Sequence, residues 1–334
     1  MSEESTNSAA TVKEATKVVL VTGGFGYVGG RVAQELARQG WTVRLGTRHR
    51  AAPPTWLPHA EVAGELDLLS DAACERACAG VQAVVHMAAT NEIDSGARPL
   101  EAAEVNTTGA IRLLLAAERV RVPRFLYFST AHVYGAPLQG TLTEETLPRP
   151  AHPYAISHKG AEDWVLAARD KRTLEGIVVR FSNGMGSPAH PDVNRWTLVF
   201  NDLCRQAVQN RRLTLLSSGV QLRDFVTLAD AGAAVAHLLA LPRETAGDGL
   251  FNLGGKTPLR ILDAALRVQE RCEAILGFTP PLTRPDPKPG ETSLPLDYRI
   301  DKLEATGFRL TGDINTEIDA TLRLCQQAFE TKAS

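Results

Sequence analysis

Four glycines fall within seven residues, Gly23-Gly24-Phe25-Gly26-Tyr27-Val28-Gly29, between the apolar run Val18-Val19-Leu20-Val21-Thr22 and an amphipathic helical pattern. Strand, glycine turn and helix in that order suit a pyrophosphate. Glycine lets the main chain approach the ligand, and the first helical amides supply donors and partial positive charge. A dinucleotide is therefore expected along the backbone of Gly23, Phe25, Gly26, Tyr27, Val28 and Gly29. The acid that meets an adenosine ribose about 20 residues later is missing, because the second strand runs into Leu45-Gly46-Thr47-Arg48-His49-Arg50. Uncharged Thr47 leaves room for a 2′-phosphate, and Arg48, alone or with Arg50, has the planar fork to pair with it. NADP is favoured over NAD.

Such a turn works only if a sheet holds it. Apolar runs at 18–22, 42–45, 83–87, 125–128 and 176–180 alternate with helical patterns at 27–39, 71–79, 98–119 and 152–170, the signature of repeated βαβ units. The expected fold is α/β, a Rossmann doubly wound parallel sheet over 17–180, with parts of 213–255 returning to it. A smaller mixed C-terminal substrate lobe follows over 181–334, with helices near 195–209, 228–240, 259–272 and 314–330. Residues 1–16 are polar and small, a composition that predicts a disordered tail. Ligands of such folds lie beyond the carboxyl ends of the strands, so the site is expected where those loops face the second lobe.

The bulk numbers exclude several classes. A net charge of −2 from 36 basic and 38 acidic residues gives no electrostatic reason for a nucleic-acid or anionic-membrane partner. The five cysteines, Cys74, Cys78, Cys204, Cys272 and Cys325, lack CxxC spacing and nearby histidines, so reduced thiols are expected and no metal. With no apolar run of membrane length and no signal-like start, the cytoplasm is the expected compartment.

Further motifs follow in a fixed order: Asp67-Leu68; His86, Met87, Ala88 and Ala89; Asn106 in Val105–Gly109; Ser129-Thr130-Ala131-His132-Val133-Tyr134-Gly135; and Tyr154-Ala155-Ile156-Ser157-His158-Lys159. Later come Arg180–Asn183, Arg223-Asp224-Phe225, Phe251–Gly255 and Lys288-Pro289-Gly290-Glu291. Over nearly the whole chain this order resembles the extended short-chain dehydrogenase/reductase family, which contains nucleotide-sugar epimerases, dehydratases and reductases. The resemblance implies that Asp67 and Leu68 meet the adenine, that Met87, Ala88 and Ala89 form the loop beside the cofactor, and that Asn106 and Ser129 sit next to it. It implies Thr130 as the hydroxyl that bonds the reacting oxygen, and Tyr154 as general acid/base. Substrate contacts would come from Thr90, His132, Asn183, Arg223 and Lys288.

One departure bears on the chemistry. The family places a lysine four residues after its tyrosine, and here His158 takes that position. Residues four apart lie one above the other on a helix, whereas Lys159 is turned away by about 100°. Either His158 holds the cofactor ribose and tunes Tyr154, or Lys159 does so through a local helix distortion. Bringing a phenol from about 10 to about 7 requires roughly 4 kcal/mol, and a mostly neutral histidine supplies less of it than an ammonium.

The expected activity is 4-epimerisation or keto reduction of a nucleotide-diphosphate sugar, with Arg48 leaning toward reduction. Dehydration fits less well, since Ala131-His132 stand where dehydratases carry an Asp-Glu pair. Reduction of a non-nucleotide carbonyl and non-catalytic dinucleotide binding stay open as alternatives. A homodimer is expected through helices 98–119 and 152–170, with Ile111, Leu114, Leu115, Trp164 and Val165 as its apolar surface.

Overall fold

Val18-Val19-Leu20-Val21 is apolar at every position because it is covered on both faces, as a strand inside a helix-sandwiched parallel sheet must be. The computed structural model describes residues 17–329, and the tail expected over 1–16 lies outside them. Seven strands form one parallel sheet: β1 (Val18–Thr22), β2 (Thr42–Gly46), β3 (Glu61–Ala63), β4 (Ala83–His86), β5 (Arg124–Thr130), β6 (Glu175–Phe181) and β7 (Leu250–Leu253). Their spatial order is β7-β6-β5-β4-β1-β2-β3, reversing direction of growth beside β1 as a doubly wound sheet does.

Alternate residues of β1 serve different layers. Val19 and Val21 pack with α1 (Tyr27–Arg38) and α6 (Leu228–Ala240), while Leu20 packs with α2 (Asp71–Cys78), α3 (Ala110–Arg119) and α4 (Pro153–Asp170). β3 is missing from the sequence reading because three residues, one exposed and two half-buried, carry no usable periodicity. The helix expected over 98–119 is not uniform: Pro99–Ala102 passes into a π-helical stretch, Ala103–Gly109, before α3 begins. The extra residue per turn there re-aims Asn106, which is buried.

After β6 the chain builds α5 (Val199–Asn210), α7 (Ile261–Leu276) and α8 (Ile314–Phe329) around a separate apolar cluster, but α6 and β7 return to the sheet. The expected dimer surface needs correction. Leu114 and Val165 are core residues, whereas Trp164, joined by Ile156 on the same helix, remains exposed. All five cysteines are free and buried. No helix among the described residues is long and apolar enough to cross a membrane.

Candidate active site

The turn after β1 is shaped by contacts that only glycine permits. Gly23 has φ +69°, and a Cβ there would lie 2.9 Å from the Met87–Ala88 peptide; at Gly29 it would lie 2.2 Å from the Gly23 carbonyl oxygen. The Gly26 amide donates to Gly23 O at 2.8 Å, closing the turn. No side chain caps α1, so its first-turn amides keep the free donors that a helix N-terminus leaves. Thr22 Oγ1 accepts from the amides of Met87 and Ala88, both at 3.2 Å, and pins the loop after β4 against the turn. Phe25 lies edge-on to Trp56. Val28 is half-buried, and Tyr27 turns its hydroxyl away to Gly186 O at 2.8 Å, leaving only its backbone to the crevice. The crevice fits a dinucleotide pyrophosphate.

Along the adenosine side, Arg48 is exposed and has no carboxylate partner among the described residues, while Arg50 is paired with Glu65 at 2.9 Å. Asp67 Oδ1 accepts from the Leu69 amide at 2.9 Å, and Leu68 is buried in the core. Asn106 is fully used by the protein: its Oδ1 accepts from Thr90 N at 2.7 Å, and its Nδ2 donates to Ser157 Oγ at 3.0 Å. It shapes the Thr90 loop and the start of α4 from below. Ala89, on the same loop, is exposed.

The expected tyrosine and histidine meet. His152 accepts the Tyr154 amide at its Nδ1, and Pro153 opens the first turn, so α4 starts cleanly. Tyr154 and His158 then meet edge to face one turn apart, ring centroids 4.4 Å apart and the planes at 64°. Lys159 is bound to Asp163 one turn further along α4, so the helix distortion that would bring it to Tyr154 is absent and His158 holds the lysine position. Burial holds the Tyr154 phenol well above its usual value; Glu92 adds to this and Arg195 opposes it. Burial likewise depresses His158 to about 4, against a smaller upward pull from Glu92.

Strand alternation divides Ser129 from Thr130. Ser129 is turned under the site, donating to Glu162 at 2.5 Å, and Glu162 forms a fully buried pair with Arg180 at 2.9 Å. This network binds α4 to β5 and β6 and places Ser129 in the framework, so its hydroxyl is engaged away from the cleft. Thr130 ends β5 at the carboxyl edge, its Oγ1 accepting from His132 N at 3.2 Å.

On the second lobe, Arg223 is exposed and unpaired among the described residues, because its neighbour Asp224 is turned inward to the Gly255 amide at 2.9 Å. Arg223 lines a hollow with Asn183, Leu198, Phe200 and Asn201. Asn183 is oriented by donating Nδ2 to Asp224 O at 2.9 Å. Lys288 is exposed, with Glu291 accepting its backbone amide rather than its ammonium. His132 is half-buried and pulled below its usual pKa by burial, with Glu92 opposing and Arg223 reinforcing, so it shares the cleft with both. Glu92 and Arg195 pair across the cleft at 3.2 Å. They stand 103 positions apart, and nothing in their local sequence announces the contact. Tyr127, whose hydroxyl meets His158 Nδ1, was also missed; the one signal was a polar-tipped ring inside an otherwise apolar strand.

A glycine crevice at the switch point of a doubly wound sheet, with a half-buried tyrosine opening the helix that covers β4 and β5, defines a Rossmann-type dinucleotide enzyme fold. Residues 19–254 match the NAD dependent epimerase/dehydratase family, and the chain belongs to it. It is 29% identical over 296 residues to UDP-glucose 4-epimerase of Azospirillum brasilense, covering 83% of this chain and 82% of that protein. Among solved structures it resembles Thermus thermophilus UDP-glucose 4-epimerase in complex with NAD, with TM-score 0.76, 25% identity and coverage of 93% and 99% of the two chains. It also resembles TunA, an NAD-dependent NDP-hexosamine 5,6-dehydratase of tunicamycin biosynthesis, with TM-score 0.73, 26% identity and coverage of 93% and 98%.

Proposed function

We propose that the chain reduces the keto group of a nucleotide-diphosphate sugar, with Tyr154 as proton donor and NADP as the dinucleotide. The observation that carries this is the pairing of Tyr154 with His158 in place of lysine, which leaves a phenol with no ammonium against it. When bound, the reduced nicotinamide supplies the hydride. As the carbonyl carbon receives it, Tyr154 gives its proton to the carbonyl oxygen and regains one from solvent, so ketone becomes alcohol. Thr130 donates a hydrogen bond to the same oxygen. With no ammonium against it the phenol stays protonated at neutral pH, the form that can donate to a carbonyl oxygen and cannot take a proton from an alcohol.

His158 would hold the nicotinamide ribose, and the amides of residues 23–29 the pyrophosphate. Unpaired Arg48 supports the 2′-phosphate, and Arg223 and Lys288 support the diphosphate of the sugar nucleotide. Asn183 and His132 would face the sugar, with Thr90 at the loop edge. Epimerisation is the second reading, favoured by the kinship to UDP-glucose 4-epimerases; it uses the same residues with hydride returned to the substrate. We further propose a homodimer through α3 and α4, with exposed Ile156 and Trp164 at its seam. Sedimentation of wild type and Trp164→Glu tests it.

The activity test offers NADPH with a panel of nucleotide 4-keto sugars. Stoichiometric NADPH oxidation in wild type, lost by orders of magnitude in Tyr154→Phe at unchanged NADPH affinity, supports reduction. Sugar interconversion with no net consumption supports epimerisation, and equal activity of the Phe variant removes Tyr154 from the chemistry.

A further inference from the structure

β5 carries Tyr127 in register with His86 on β4, and the side chains of both lie on the face that α4 covers. Tyr127 is 2% exposed, and its hydroxyl meets His158 Nδ1 at 2.7 Å. Among the described residues no other hydrogen bond reaches that hydroxyl, and His158 Nε2 is buried without a partner.

A phenol has one proton, and a neutral imidazole has one donor and one acceptor nitrogen, so the contact has two neutral forms. If His158 donates from Nδ1, the Tyr127 proton and the Nε2 lone pair are both left buried and unsatisfied. If Tyr127 donates to Nδ1, an Nε2–H and the acceptor capacity of the phenol oxygen remain open. The numbers of open groups are equal, but the second form spends the stronger donor, a phenol, on the stronger acceptor, an imidazole nitrogen, and leaves only a weakly accepting phenol oxygen open; the 2.7 Å separation also matches a hydroxyl donor rather than a ring N–H. The imidazolium would again orphan the Tyr127 proton and would bury a charge with no carboxylate in contact. The groups around His158 are Tyr127, Tyr154, the neighbouring His86 and, at longer range, Glu92.

A donor count fixes His86. Thr22 Oγ1 already accepts two amides, so its own proton goes to His86 Nδ1 at 2.6 Å and His86 carries its hydrogen on Nε2. Two neutral histidines flank Tyr127.

We propose that Tyr127 is a positioning residue that locks His158 as the neutral Nε2–H tautomer, so that an uncharged donor stands where relatives carry an ammonium. That donor is covered by protein, so it meets a hydroxyl oxygen of the nicotinamide ribose only once dinucleotide binding uncovers it, and it then adds no charge beside Tyr154. The tautomer claim is independent of the proposed reaction, and its functional half rests on placing the dinucleotide against His158.

The test uses 15N-histidine-labelled protein without dinucleotide, with His158 assigned by its loss in His158→Gln. Wild type at pH 7 is expected to show Nδ1 unprotonated and Nε2 protonated, unchanged down to pH 5. Tyr127→Phe is expected to release His158 into a tautomer mixture and to weaken NADPH binding about tenfold. An Nδ1–H form or an imidazolium in wild type at pH 7 overturns the proposal, and so does an unchanged tautomer in Tyr127→Phe. Loss of the tautomer with unchanged NADPH affinity overturns the functional half alone and removes His158 from the dinucleotide site. Should Tyr127→Phe not fold, the wild-type spectrum decides.

Discussion

Arg31 on α1 grips Glu317 on α8 through two hydrogen bonds of 2.7 and 3.0 Å. The carboxylate is buried and also accepts the amides of Ser187 and Ala229, both at 3.2 Å. One acid thus ties the helix that begins at the glycine turn to the last helix of the second lobe.

Removing that acid should therefore act at a distance. Glu317→Ala leaves Arg31 half-buried and two amides unmatched, a loss of roughly 3 kcal/mol. It is expected to lower the denaturation midpoint and to weaken dinucleotide binding. A midpoint within error of wild type would show that the seam is held by packing alone.

Gly29→Ala places a methyl where the Gly23 carbonyl oxygen stands, 2.2 Å away. The turn must open to admit it, and we expect calorimetry to show NADPH affinity lost by more than about a hundredfold, since correctly aimed amides are the site. Retained affinity would mean that the pyrophosphate lies elsewhere.

Cofactor choice should follow one side chain. Arg48→Ala is expected to weaken NADPH binding by roughly ten- to a hundredfold while leaving NADH within about twofold, in line with loss of a charge-assisted fork. Arg50→Ala should change little, because Arg50 is engaged with Glu65 on the surface. Equal effects on both cofactors would rule out a 2′-phosphate contact.

Acid should destabilise the protein earlier than its carboxylates alone would. His86 and His158 are depressed to about 3 and about 4 by burial, against about 6.5 in the unfolded chain. The unfolded state binds protons that the native state refuses, so stability is full above pH 6.5 and is lost as pH falls toward 4 and then 3. Thermal unfolding at pH 7, 6 and 5 should show a steady decline, shallower in His158→Gln. A flat midpoint from pH 7 to 5 contradicts neutral buried imidazoles.

The glycine turn and the Tyr154–His158 contact were legible because each is local: a few residues and one helical period fix their geometry. Other assignments depended on which face a strand residue takes. Ser129 and Thr130 diverge by strand alternation, as do Arg223 and Asp224, so adjacency in the sequence misplaced Ser129 and gave no sign that Asp224 turns inward away from Arg223. Tyr127 was hidden inside Phe125-Leu126-Tyr127-Phe128, where its hydroxyl has meaning only once β4, β5 and α4 are assembled. The Glu92–Arg195 contact joins opposite walls of the cleft and exists only in the folded chain. The π-helical stretch left no trace in the periodicity, yet it sets the aim of Asn106.

The inward turn of Asp224 has one more effect. A protein with a net charge of −2 still offers an uncompensated guanidinium at Arg223, so an incoming polyanion meets local positive charge at this mouth. Raising ionic strength should then slow capture of the sugar nucleotide while leaving the rate of the bound complex nearly untouched.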